Sequence, residues 1–146
     1  MSASNAFENA LALLLYNNTG IATIGDATGI VESTADGNFY VALHTADPGE
    51  AGNQSTNECD YTGYARVAVA RTVSGWTVTD NVATNAAIVA FGENTGDSQT
   101  ATHFSIGAES SGATLMLKSN ALTAQLVISP GVTPSFAIGQ ISNSVE

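Results

Sequence analysis

The stretch Phe39-Tyr40-Val41-Ala42-Leu43-His44 decides how this chain folds. Phe39, Val41 and Leu43 alternate with Tyr40, Ala42 and His44, the two-residue period of a half-buried strand. Asp36-Gly37 stands just before it, a turn signal that marks where the strand begins. Outward from here the same pattern returns in short runs. Ala65, Val67 and Val69 share a face within Tyr64 to Arg71, and Trp76 and Val78 alternate next. Val82 to Phe91 follows, then Thr102, Phe104 and Ile106, then the pairs Leu115 and Leu117, Leu126 and Ile128, and Phe136 and Ile138. Ser74-Gly75, Asn94-Thr95-Gly96, Ser110-Ser111-Gly112 and Ser129-Pro130-Gly131 separate the runs, all residues that turn the chain. Short strands recurring every ten residues or so leave no room for crossover helices. The expected fold is therefore mainly β: an antiparallel β-sandwich, jelly-roll-like, of two packed four-stranded sheets.

One segment departs from this period. Phe7, Ala10, Leu11, Leu14 and Leu15 fall at i, i+3, i+4, i+7 and i+8, the apolar face of an amphipathic helix over about residues 4–17. Ser4 or Asn5 can cap its start, Glu8 suits the positive end of the helix dipole, and Gly20 offers a left-handed stop. That face is expected to lie against the sandwich or a partner subunit, since large wet side chains invite aggregation.

The chain has 146 residues, 13 acidic and 3 basic, a formal net charge of -10 at pH 7. This length predicts a single β-sandwich domain over residues 1–146, with strands from about residue 39 to 141. Cys59 is the one cysteine, so no internal disulfide can form. Three dispersed cations cannot neutralise a run of phosphates, so neither nucleic acid nor an anionic membrane is an expected partner. Met1 to Asn9 lacks the Lys or Arg of a secretory signal, and the apolar run Ala10 to Tyr16 is too short to span a bilayer. The chain is expected to stay in the cytoplasm where it is made.

The interval Thr45 to Gly63 carries no strand pattern and is the best candidate for a binding element. His44, Asp47 and Glu50 could suggest a metal or hydrolytic site, but Pro48 inside the segment scatters them. His103 falls opposite Phe104 and reads as a solvated or interfacial strand residue. The acidic loop lacks the spacing of a calcium site. Glu58 and Asp60 beside Cys59 raise a thiol pKa, which argues against a nucleophile. No catalytic residue, metal or cofactor is expected. What remains is a protein-contact loop built from Asp47, Pro48, Glu50, Tyr61 and Tyr64. The two tyrosines either anchor a contact or cover the sandwich edge.

Phe39 to Gly52, followed by Tyr61-Thr62-Gly63-Tyr64-Ala65-Arg66-Val67, resembles a widespread family of small structural proteins of tailed bacteriophages. Ser4 to Ala10, Ala101 to Gly107 and Pro134 to Gly139 fit the same family, so the resemblance covers nearly the whole chain. Members are often labelled tail fibre proteins, and similar small β-sandwich proteins act as cement or decoration proteins on capsids. The resemblance implies a virion protein without enzymatic residues. Because the chain is short and non-repetitive, a capsid cement protein is favoured over a tail fibre or tail-tip component. Its expected partners are the major capsid protein and further copies of itself, on the capsid surface.

Overall fold

A computed structural model describes residues 2–145 of the chain. The protein is mainly β, with antiparallel sheets and one N-terminal helix, as the alternation and the single helical period require. In chain order the elements are α1 (Asn5–Asn17), β1 (Asn38–His44), β2 (Val67–Ala70), β3 (Trp76–Thr79), β4 (Val82–Asn85), β5 (Val89–Ala90), β6 (Gln99–Gly107), β7 (Met116–Ile128), β8 (Ser135–Phe136) and β9 (Ser142–Ser144).

The strands form a four-stranded sheet ordered β2-β1-β6-β7, a three-stranded sheet β3-β4-β9 and a two-stranded ribbon β5-β8, where two sheets of four were expected. Three local causes account for the difference. Leu117 and the pair Leu126 and Ile128 belong to one long strand, β7, with Leu115 just before it. The Val82 to Phe91 run breaks after Asn85, whose side-chain amide donates to the carbonyls of Ala87 and Ala137 and so leads the chain out of the sheet. β9 is the polar tripeptide Ser142-Asn143-Ser144, which pairs with β4 without any apolar alternation to announce it.

The chain divides into two compact units. The first holds the residues up to Gly37, Ala70–Ile88 and the chain from Ala137 onward. Here α1 packs on β3 and β4. Ser4 caps the helix, its hydroxyl accepting from the Phe7 N–H. The left-handed residue that ends it is Asn18 (φ 49°), not Gly20, because the Asn18 side chain is tied down by the Ser33 backbone and Asp36. Arg71 closes the same end, its guanidinium donating to the Leu15 and Leu14 carbonyls at 2.6 and 2.8 Å.

The buried face of α1 is Ala12 and Tyr16; Phe7 is 43% exposed, and Leu11, Leu14 and Leu15 are half-buried. The helix is thus rotated from the expected face. Tyr16 stands edge-on to the fully buried Trp76, ring centroids 5.0 Å apart, and its hydroxyl accepts from the Asn143 amide. Burying that aromatic pair outweighs burying a leucine stripe, and Ala12 lets the helix approach. Between α1 and β1 the chain makes only an isolated bridge, Ile21 to Ile30.

The second unit holds Asn38–Val69 and Val89–Phe136. Its sheet pairs β1 with β6 from Tyr40↔Gly107 to His44↔His103. Ribbon β5-β8 lies on one face of that sheet: Phe136 meets Phe104 at 5.2 Å and Phe91 at 6.2 Å, and Phe91 stacks on Tyr64, which meets Tyr61 edge-on. This is sandwich-like packing. The other face is covered by the Thr45 to Gly63 loop. With both faces covered, Val41, Ala42, Leu43 and His44 are all buried, where alternation had suggested a half-buried strand.

Candidate functional site

The Thr45 to Gly63 loop is held by its polar side chains. It leaves β1 at His44 and returns beside it, with Thr45 N–H donating to the Asn57 carbonyl and Cys59 N–H to the Leu43 carbonyl. Between these points Gln54 turns inward and is fully buried. Its amide donates to the Tyr40 carbonyl at 2.9 Å and sits where a Cβ on Gly107 would fall, 2.0 Å from Gln54 Cδ. Only glycine at position 107 leaves room for this plug.

Arg66 fastens the loop from its other side. Nε and Nη2 grip Glu58 Oε1 and Oε2 at 2.7 and 2.8 Å, and the guanidinium also donates to Gln54 Oε1 and to the Glu109 and Gly112 carbonyls. Glu58 holds the guanidinium protonated, moving its pKa further up. Tyr64 donates to Glu58 Oε1 and accepts from the Leu43 N–H; burial, above all, pushes its phenol far above the usual range.

Beneath the loop lies a serine–histidine pair. His44 Nδ1 is 2.9 Å from the Thr56 carbonyl, which can only accept, so that nitrogen carries the proton. Nε2 is then bare and accepts from Ser105 Oγ at 2.7 Å. Desolvation lowers the His44 pKa and keeps the ring neutral. The pair has the spacing of a nucleophile and its base, yet both residues are fully buried and a backbone carbonyl stands where a carboxylate would orient the ring. Its place is structural. Burial, reinforced by Asp60 and Glu58, pushes the Cys59 thiol up to about 12, far from a reactive thiolate. Among the described residues no three His, Cys, Asp or Glu side chains are grouped to hold a metal ion, and no helix is long and apolar enough to cross a membrane.

The five residues read as a contact loop separate in space. Asp47 and Glu50 are exposed, while Pro48 and Tyr61 are buried and Tyr64 is half-buried. The Tyr61 hydroxyl donates to the Gly92 carbonyl at 3.0 Å. Asp47 and Glu50 instead flank a groove of about 650 Å³, whose other wall is the run Met116–Ala121 of β7, with His103 between. Sequence reading missed Arg66 and Gln54, whose partners lie far along the chain, and missed the β7 wall. The one sequence signal for Arg66 was its place in a mostly apolar strand run.

A family model described as Podophage GP4 fiber I protein gp80 matches residues 3–144. No curated protein matches the chain.

Proposed function

The chain belongs to the Podophage GP4 fiber I protein gp80 family of phage virion structural proteins, and from that premise we propose that it is a component of the tail-fibre apparatus, working by surface contact. The observation that carries this reading is the reach of the match, residues 3–144, to a family whose description names a fibre protein. The arrangement of polar groups supports it. Arg66, Glu58, Gln54, His44 and Ser105 are spent on holding one loop rigid, the arrangement of a scaffold for contact. A net charge of -10 at pH 7 gives such a part no role on nucleic acid or an anionic membrane.

One observation favours a second reading, a cement protein on the exterior of the head, bound to the major capsid protein and to copies of itself. The chain is short and non-repetitive, whereas a fibre shaft is built from long repetitive β structure. The test is quantitative gel analysis of virions split into heads and tails. Recovery in the tail fraction at a few copies per particle is expected. Recovery with heads in many copies would move the assignment to cement.

A further inference from the structure

The hydrogen bonds beneath the loop run in one direction. Arg66 Nη1 can only donate, and it donates to Gln54 Oε1 at 3.2 Å, which fixes the orientation of that amide. Gln54 Nε2 donates to the Tyr40 carbonyl at 2.9 Å and to Ser105 Oγ at 3.4 Å. Ser105 donates to His44 Nε2, and His44 Nδ1 donates to the Thr56 carbonyl, which can only accept. With both ends fixed, every donor between them is fixed, and the line closes only on a neutral ring. A proton on Nε2 would make the Ser105 hydroxyl accept from His44 as well as from Gln54, leaving its own hydrogen facing two donors. His44, Ser105 and Gln54 are all fully buried, where such a conflict is costly.

The segment this line secures, Asp47–Thr56, has no large apolar side chain, and Pro48 and Gln54 are its only buried residues. It bonds largely to itself: Gly49 N–H to Asp47 Oδ1, Gly52 N–H to the Gly49 carbonyl, Thr56 N–H to the Asn53 carbonyl. Gln54, Ser55 and the Thr56 carbonyl tie it to the rest of its unit. Its base is held separately, by Thr45 on Asn57, Cys59 on Leu43 and Arg66 on Glu58, so the segment can swing as one body.

We propose that Asp47–Thr56 is an acid-released flap: protonation of His44 breaks the line of hydrogen bonds, the segment swings away from the sheet, and the groove loses its wall of Asp47, Gly49 and Glu50. Water admitted by the opening solvates the charged ring. Burial is the largest influence on that ring and opposes its charge; the Thr56 carbonyl and Glu58 favour charge, while Arg66, from the run into β2, and His103, across on β6, oppose it. The ring of the open form titrates as a free histidine, at about 6.5. Each pH unit below that value favours the open form by about tenfold, until the closed ring also takes its proton. Carboxylates as a class titrate near pH 4, below this window.

The test is amide hydrogen exchange followed by NMR on the whole chain between pH 7.5 and 5, each rate divided by the intrinsic rate at that pH. The Gln54 backbone and side-chain amides, bonded to the Thr114 and Tyr40 carbonyls, are expected to lose protection about tenfold per pH unit below about pH 6.5. The Cys59 amide at the base and the β1–β6 ladder should keep theirs. His103→Gln is expected to behave as the wild type, and His44→Gln to show no pH dependence. Where His44→Gln already leaves the flap open at pH 7.5, the ring nitrogen shifts of wild-type His44 decide. A ring that gains its second proton as Gln54 loses protection supports the proposal, whereas a doubly protonated ring beneath a protected flap overturns it. Protection at Gln54 that ignores pH, an equal fall in His44→Gln, its disappearance in His103→Gln, or a parallel fall in the β1–β6 ladder would overturn it as well.

Discussion

Arg66 and Glu58 form a two-pronged ion pair, Nε to Oε1 at 2.7 Å and Nη2 to Oε2 at 2.8 Å, with the arginine side chain 2% exposed and the glutamate 17%. Because the Arg66 fork also reaches Gln54, Glu109 and Gly112, one side chain ties together two separate loops, the one from Thr45 to Gly63 and the one between β6 and β7.

Removing one partner leaves the other buried and uncompensated. Glu58→Ala is expected to lower unfolding stability by about 3–5 kcal/mol. The double variant E58L/R66M should cost less than the sum of its parts, because the stranded charge is gone. Urea unfolding of the two singles and the double makes the comparison; strict additivity would show that the pair is not coupled.

His44 gives a pH dependence with a definite sign. Its folded pKa lies below the unfolded value of about 6.5, so as pH falls through that value the unfolded chain binds a proton the native chain refuses. Stability is full above about pH 6.5 and declines below it, by at most about 1.4 kcal/mol per pH unit, until the folded pKa is passed. Melting temperatures of the wild type and His44→Gln between pH 8 and 5 test this. An equally steep decline in both proteins would remove His44 as the cause.

Cys59 is 2% exposed and its thiol is pushed up to about 12. An aromatic disulfide reagent at pH 8 is expected to leave it untouched in the native protein and to titrate one thiol per chain after denaturation. Stoichiometric reaction within seconds under native conditions would contradict the packing around the loop.

The rotation of α1 reverses the ranking of helix substitutions that its apolar stripe suggests. Ala12→Leu forces bulk into the contact with β3 and β4 and is expected to cost about 1–3 kcal/mol. Phe7→Ser, on the exposed side, should stay within about 0.5 kcal/mol of the wild type. Denaturant midpoints decide, and a larger loss at Phe7 than at Ala12 would place the buried face where the stripe is.

Phe39 to Leu43 and the later alternating runs, with the turn residues between them, determined by themselves that this chain is antiparallel β with one N-terminal helix, since strand period, helix period and turn chemistry are local properties of neighbouring residues. The same local patterns identified Thr45 to Gly63 as a loop, and Asp47 and Glu50 as exposed acids within it. Tertiary structure alone decided the rest. Tyr16 took the inner side of α1 because Trp76, sixty residues away, offered an aromatic partner; Tyr61 turned inward because the Gly92 carbonyl was there to accept its hydroxyl. Ser142-Asn143-Ser144 became a strand because β4 had an open edge. Arg66, Gln54 and Ser105 read as ordinary polar residues until folding set them beside Glu58 and His44. Periodicity records which way a side chain points, whereas its function depends on what stands opposite, and that is fixed only when distant segments meet.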